Sequence, residues 1–194
     1  MLPVLLGYLA GSVPFAFLLA RRVGSDGRVA GSGTGGATHG LRPPGPWRGG
    51  RALALDRATG ALAVALASVT APAAGVPLVA AGGAAAVVGH IYPVWLRFHG
   101  GKGVAVAAGV FAVLTPLATA IAGALFLAIV LVTRYVSLGS VAATLALPPI
   151  AWLSGAPTAV VVAAAGTGGL ILIRHRANLR RLFAGTERRM GVRA

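Results

Sequence analysis

The chain has 194 residues, of which 57% are hydrophobic and 10% charged, and it contains no cysteine. Soluble domains carry about a quarter charged residues, so an ordinary water-soluble globule is excluded, as are disulfides and thiolate nucleophiles. Lys and Arg number 17 against 3 Asp and Glu. Because these basic residues punctuate long apolar runs, they indicate membrane loops that face anionic headgroups, and we expect no nucleic-acid partner.

The first apolar run covers residues 2–20, close to the roughly 20 residues that one membrane crossing needs. It lacks a positively charged leading segment and is followed by Arg21-Arg22. This order predicts a retained first span rather than a cleaved secretory signal. Further apolar runs cover residues 52–69, 76–96, 104–133, 139–153 and 158–173.

The run over residues 104–133 is long for one crossing and short for two. If it turns near Thr115-Pro116, every basic residue lies on one side of the membrane, and no basic residue is expected inside a span. The positive-inside rule then predicts an all-α polytopic membrane protein with seven transmembrane helices, the N-terminus outside and the C-terminus cytoplasmic. We expect a single integral-membrane domain over residues 1–194.

The first polar segment with possible chemistry is the glycine-rich stretch over residues 31–39. Its backbone can curl around an anion, Ser32, Thr34 and Thr38 would add hydroxyl donors, and Arg42 would add a bidentate fork for phosphate. A flexible, solvated linker is an equally good interpretation of this composition.

The second segment runs from Gly89 to Gly103 and contains Gly100-Gly101-Lys102-Gly103. A glycine turn that opens a membrane helix places backbone donors, a positive dipole end and an ammonium together, which favours phosphate binding over a simple turn. His90 and His99, taken alone, are more typical of packed, hydrogen-bonded histidines.

The third segment is the basic tail that begins at Arg174. If it is helical, His175, Asn178 and Leu182 share one face, and His175 could act as a general base. The alternative is a juxtamembrane strip that binds anionic lipid. Glu187 is expected to pair with an arginine rather than to act as a base.

Together these segments resemble the bacterial acyl-phosphate:glycerol-3-phosphate acyltransferases, the PlsY family. The resemblance includes Gly11-Ser12-Val13-Pro14-Phe15, residues 31–42, 89–103 and 133–140, and the tail over residues 175–187. It departs at Thr34 and His39, where the family usually has asparagine, and at Thr59, where lysine is common. These departures leave a different acceptor preference or weaker activity open.

The resemblance implies transfer of a fatty acyl group from acyl phosphate to the 1-position of glycerol 3-phosphate, without cofactor or metal. It implies a monomer in the bacterial inner membrane, in contact with membrane lipids, with its active site on the cytoplasmic face. The implied catalytic residues are Ser32, Lys102, His175 and Asn178, with Glu187 in a structural role. The implied phosphate-binding residues are Arg42, Gly100, Gly101, Lys102 and Gly103. We add Thr34, Thr38 and Ser140 as candidate phosphate-binding residues because their hydroxyls lie in the same polar segments.

Two questions stay open at this level. The proton of the acceptor hydroxyl could pass to His175 or to the substrate phosphate itself. The strongest rival function is a transporter or binding protein for a phosphate ester, and a lipid-binding scaffold comes third.

Overall fold

A computed structural model describes residues 1–21 and 46–191 of the chain. Within these residues the regular elements are all helices, and no strand occurs. In chain order they are α1 (Leu2–Gly11), α2 (Phe15–Arg21), α3 (Pro46–Thr70), α4 (Gly75–Ile91), α5 (Val104–Leu114), α6 (Pro116–Thr133), α7 (Val136–Leu153), α8 (Thr158–Arg174) and α9 (Arg176–Phe183). The predicted all-α class is confirmed.

Membrane-spanning capacity is concentrated in the longer helices. Four segments are long and apolar enough to cross a bilayer, and they belong to α3, α4, α6 and α7. A fifth is obtained if α8 and α9, which meet at 59°, count as one bent span. The apolar helices α1 and α5 have only 10 and 11 residues. The described residues therefore support a polytopic membrane protein, while the count of seven spans stays a prediction.

The first apolar run is broken, which corrects the predicted continuous span over residues 2–20. Helix α1 ends at Gly11 and α2 begins at Phe15. Pro14 has no N–H and disfavours the helical conformation of Val13, so the helical ladder cannot continue. The Ser12 hydroxyl donates to the Tyr8 carbonyl at 2.8 Å, which completes the end of α1.

Helix α3 begins at Pro46, well before the predicted run over residues 52–69. Asp56 and Arg57 lie inside the helix, as they do in the predicted run, and the membrane-length segment of α3 starts at Gly49 and includes Arg51 as well. The expectation that no basic residue lies within a span stays a prediction. Long arginine side chains can extend along a helix toward the interface, which permits such positions.

The break predicted near Thr115-Pro116 is present. Helix α5 ends at Leu114, α6 starts with Pro116 at its first position, and the backbone of Thr115 between them is non-helical, with φ −151° and ψ 74°. Proline suits the first turn of a helix because the N–H it lacks would have no helical partner there.

The chain forms two compact units, one over Met1–Val113 and one from Leu114 onward. In the first, α1 packs against α3 and α4. Small residues allow this close approach, since a Cβ at Gly7 would overlap the Gly82 carbonyl and one at Gly11 would overlap the Ala86 carbonyl. In the second unit, α7 packs against α6 and α8, and α9 contacts both α7 and α8.

Large apolar side chains point outward along the longer helices. Leu131, Val132 and Leu153 are 76%, 84% and 77% exposed. Contiguous exposure of this kind would be unfavourable in water but suits a hydrocarbon surrounding. The outward surface therefore agrees with the membrane placement inferred from composition.

Candidate active site

A tight reversal of the chain follows α4 and leads into the predicted phosphate loop. Arg97 and Phe98 both adopt left-handed backbone conformations, with φ angles of 51° and 62°. Each such residue costs roughly 1–2 kcal/mol when it carries a Cβ. The Phe98 N–H donates to the Pro93 carbonyl at 2.9 Å and so holds the reversal closed.

The loop Gly100–Gly103 lies against the last turn of α4. The Gly100 and Gly101 N–H groups donate to the carbonyls of Ile91 and His90, both at 3.1 Å. A Cβ at Gly101 would overlap the His90 imidazole, and Gly103 has a φ of 85°, so glycine is needed at both places. These two amides hold the loop on α4, and the predicted anion binding rests on Lys102 and the start of α5.

Lys102 stands between the two constrained glycines and directly before α5. Its side chain is half-buried. The N-terminus of a helix carries about half a positive elementary charge and attracts anions. An ammonium on a fixed loop at this position is suited to hold one phosphate group.

In the second unit, the Glu187 carboxylate gathers three donors. Its Oε1 accepts from the Ser137 hydroxyl at 2.8 Å and from Asn178 Nδ2 at 2.7 Å. Its Oε2 accepts from Arg181 Nε at 2.6 Å. The expected pairing of Glu187 with an arginine is confirmed. We call these four residues the Glu187 cluster.

The surroundings of Glu187 act on its pKa in opposite directions. Burial alone raises the pKa of this carboxyl, but hydrogen bonds from Asn178, Arg181 and Ser137, together with the positive charge of Arg181, outweigh that effect. The pKa of Glu187 therefore lies below its ordinary value of 4.5, and the side chain is a carboxylate near neutral pH.

The residues after Glu187 also contact the start of α7. Arg189 Nε donates to the Tyr135 hydroxyl at 3.0 Å, and its guanidinium lies 5.2 Å from the centre of the Tyr135 ring. The Met190 N–H donates to the Arg134 carbonyl at 2.8 Å. The tail is thus attached to the start of α7 and to the two residues before it, through Arg134, Tyr135 and Ser137.

His175 occupies the corner between α8 and α9 and is only 2% exposed. Its Nδ1 lies 2.8 Å from the Ile171 carbonyl. Because a carbonyl can only accept, Nδ1 carries a proton, and Nε2 of the neutral ring is then the basic atom. The corner therefore fixes both the direction of the ring and its tautomer, as a general base requires.

The two interpretations of the basic tail apply to opposite faces of α9. Asn178 is buried along with His175, whereas Arg176, Arg180 and Phe183 are exposed. The exposed basic and aromatic face is typical of a helix at a headgroup surface. The buried face carries the pair that the sequence analysis assigned to chemistry.

The predicted site residues divide into four groups. Gly100, Gly101, Lys102 and Gly103 form the loop in the first unit. In the second unit Asn178 is hydrogen-bonded to Glu187, and His175 lies one helical turn before Asn178. Ser140 is buried, and its hydroxyl donates to the Val136 carbonyl of its own helix at 2.9 Å. Its phosphate role, like the other substrate contacts, stays a prediction. Ser32, Thr34, Thr38 and Arg42 lie outside the described residues.

Sequence reasoning missed Ser137, which binds Glu187 while Ser140 does not. Both hydroxyls belong to the same polar stretch at the start of α7, and no pattern distinguishes them. It also missed the proximity of Asp56 and His90, whose Oδ1 and Nδ1 atoms are 3.9 Å apart. Their positions on neighbouring long helices could have suggested this pair.

Comparison with known proteins gives one consistent family. The family model described as glycerol-3-phosphate acyltransferase matches residues 1–185. A glycerol-3-phosphate acyltransferase of Myxococcus xanthus is 48% identical over 96% of this chain and 97% of its own. One of Symbiobacterium thermophilum is 42% identical over 98% of this chain and 94% of its own.

Two solved structures are also similar to the chain. Both are crystal structures of PlsY (YgiH), an integral membrane glycerol 3-phosphate acyltransferase. The glycerol 3-phosphate form has a TM-score of 0.92 and 37% identity, and the lysophosphatidic acid form has a TM-score of 0.89 and 36% identity. Each match covers 98% of this chain and 94% of the solved one.

Proposed function

The chain belongs to the glycerol-3-phosphate acyltransferase family, and on that premise we propose that it transfers a fatty acyl group from acyl phosphate to the 1-position of glycerol 3-phosphate. The chain is an acyltransferase, and the resemblance first seen in its motifs is confirmed. One observation carries the proposal. The similarity runs through the whole chain and includes structures in the glycerol 3-phosphate and lysophosphatidic acid forms.

The proposed reaction needs no covalent acyl-enzyme, because acyl phosphate is a mixed anhydride with phosphate as a good leaving group. The acceptor oxygen attacks the acyl carbon, the new ester C–O bond forms, and the bond from the acyl carbon to the phosphate oxygen breaks. Inorganic phosphate leaves, and the hydroxyl proton passes to a base. Alignment and fixed positive charge can supply most of the acceleration.

The loop Gly100–Gly103 is assigned to substrate phosphate in this proposal. Its two hydrogen bonds to α4 keep it in one position, so Lys102 can offer its charge without rearrangement during the reaction. Charge that is already in position stabilises developing negative charge more effectively than charge that must move. The start of α5 supports the same sign of potential.

His175 and Asn178 are assigned to the acceptor hydroxyl. With Nδ1 turned to the Ile171 carbonyl, His175 would take the proton at Nε2. The bond from Asn178 Nδ2 to Glu187 fixes the plane of the amide, so Asn178 Oδ1 could accept from the hydroxyl and hold it in line. The substrate phosphate is the alternative proton acceptor, and in that case His175 would bind rather than catalyse.

Seven spans remain the proposed topology, in the bacterial inner membrane with the active site on the cytoplasmic face. The count follows if α1 and α2 form one interrupted span and α5 forms a short one, alongside α3, α4, α6, α7 and α8. Short spans need a thinner bilayer or shielding by neighbouring helices. The small residues that join α1 to α4 are consistent with such shielding.

The transporter alternative depends on ionisable residues in the membrane helices. Asp56 and Arg57 lie within α3, so a lack of ionisable residues there does not argue against transport. Family membership decides between the two functions, because the chain belongs to a family of acyltransferases.

The decisive experiment incubates purified protein with acyl phosphate and glycerol 3-phosphate and measures lysophosphatidic acid. Product is expected from this pair only, and reactions with acyl-CoA or acyl carrier protein as donor should yield none. A transporter reconstituted in vesicles would move glycerol 3-phosphate without making product. Absence of lysophosphatidic acid in reactions with purified, folded protein would overturn the proposal.

A further inference from the structure

Two ionisable side chains of the first unit are buried between α3 and α4 and have no part in the proposed reaction. Asp56 and His90 bring Oδ1 and Nδ1 to within 3.9 Å, and their side chains are only 3% and 13% exposed. Ionisable residues within membrane helices are costly and are usually retained for function. The pair therefore calls for a physical explanation beyond packing.

The opposite edge of the His90 ring faces the glycine loop. An added Cβ at Gly101 would overlap His90 Nε2 and would lie 3.0 Å from its Cδ2. The backbone of His90 is joined to the same glycine, since the Gly101 N–H donates to the His90 carbonyl at 3.1 Å. One imidazole thus has a carboxyl group beside its Nδ1 edge and the loop backbone beside its Nε2 edge.

We propose that Asp56 and His90 are positioning residues for the phosphate loop. Asp56 orients the imidazole of His90, and this ring packs against Gly101 from the side of α4. The neighbouring Lys102 is thereby kept in one position and one direction. The effect on catalysis rests on the proposed function, because there the loop binds substrate phosphate. The effect on the loop itself does not.

The size of the effect follows from how steeply transfer reactions depend on alignment. A displacement of about 1 Å can cost on the order of a hundredfold in rate. Removal of the ring in His90→Ala should let the loop settle toward α4, and kcat/KM for acyl transfer should fall by about 10- to 100-fold. Asp56→Asn, which keeps the shape but replaces one carboxyl oxygen by an amide nitrogen, should lower kcat/KM by less.

Two amide substitutions separate positioning from simple packing. The amide nitrogen of Gln can take the place of Nε2, and that of Asn the place of Nδ1. His90→Gln, which keeps a group against Gly101, should recover most of the activity lost in His90→Ala, whereas His90→Asn should recover little. Equal behaviour of the two variants would overturn the proposal.

The control variant is Thr167→Val in α8, outside the unit that contains Asp56 and His90. Thr167 is buried, and its hydroxyl donates to the Ala163 carbonyl of its own helix at 2.7 Å, so the change tests core disturbance without touching the loop. Its activity should stay within about twofold of the wild type, as expected for a site without shared partners. If the control variant lost as much activity as His90→Ala, Asp56 and His90 would contribute only through ordinary packing.

A second readout does not depend on activity. Hydrogen exchange at the Gly100 and Gly101 amides should be at least about tenfold faster in His90→Ala than in the wild type, because local opening becomes easier. Amides in the middle of α5 should be unchanged. If His90→Ala does not fold, Asp56→Asn and His90→Gln supply the same comparison.

The two readouts distinguish the possible failures. If the wild type makes no lysophosphatidic acid but loop exchange still responds to His90, the proposed function fails and the positioning role stands. If the wild type is active, while His90→Ala leaves both kcat/KM and loop exchange unchanged, the positioning role is wrong.

Discussion

Lys102 is the only lysine in the chain, and its charge sits on a loop fixed by two backbone hydrogen bonds. Lys102→Ala should lower kcat/KM by about a hundredfold, near 3 kcal/mol of barrier, because one preorganised charge is lost. Steady-state kinetics with acyl phosphate and glycerol 3-phosphate measure this. Lys102→Arg keeps the charge and should retain more activity than the alanine variant. Near wild-type kinetics for Lys102→Ala would show that the loop is only a turn.

His175 offers a test of where the proton goes. His175→Ala should lower acyl transfer by about 10²–10⁴-fold if its Nε2 is the general base. His175→Gln should be nearly as poor, since an amide cannot accept a proton near neutral pH. Substantial activity in His175→Gln would assign the proton to substrate phosphate and leave His175 a binding role.

Asn178→Ala should also lower acyl transfer strongly, while membrane insertion stays normal. Arg180→Ala is the matched control on the same helix, because Arg180 is exposed on the opposite face. If His175→Ala and Asn178→Ala fold and keep unchanged turnover, α9 has no role in catalysis and serves only as a basic helix at the lipid surface.

At the scale of elements, the Glu187 cluster joins the tail to α7 and α9. The arginine that was expected to pair with Glu187 is Arg181, whose Nε donates to Oε2 at 2.6 Å. Arg181→Ala should destabilise the tail by about 1 kcal/mol, because it removes a charged hydrogen bond that the partial exposure of Arg181 already weakens. Arg180→Ala should have no effect. Limited trypsin cleavage after Arg188 compares the two variants. Equal protection in both would contradict the assignment.

Attachment of the tail should also depend on pH. The pKa of Glu187 is lower in the folded protein than its ordinary value of 4.5, so its contribution is complete above pH 4.5 and disappears as the pH falls through the lower folded value. Tail protection from hydrogen exchange should therefore decrease in that acidic range. Glu187→Gln should show weak protection at every pH and no such transition.

The helices illustrate what the sequence could and could not predict. Proline after Thr115 in an overlong apolar run predicted the break between α5 and α6 correctly. Proline at position 14 had the same meaning, but the apolar average across residues 2–20 concealed it. The cluster around Glu187 was predicted only in part, because Ser137 and Ser140 are equivalent by composition and only folding decides which of them meets the carboxylate.

For the whole molecule, the proposed topology follows from the one-sided distribution of basic residues. A reporter fused after Ala194 should be cytoplasmic, and reporters placed at residues 73 and 156 should be external. Both internal positions follow long apolar helices in stretches without charge. A cytoplasmic reporter at residue 156 would exclude the seven-span arrangement.

Glu187 comes after all of the described helices, α1 to α9, in the chain, which bears on the order of events during synthesis. Synthesis runs from the N-terminus, so every one of these helices is made before Glu187. Until then Ser137 and Asn178 have no carboxylate to bind. The hydrogen bonds of the Glu187 cluster are therefore among the last that a growing chain can form, after all of its described helices have been made.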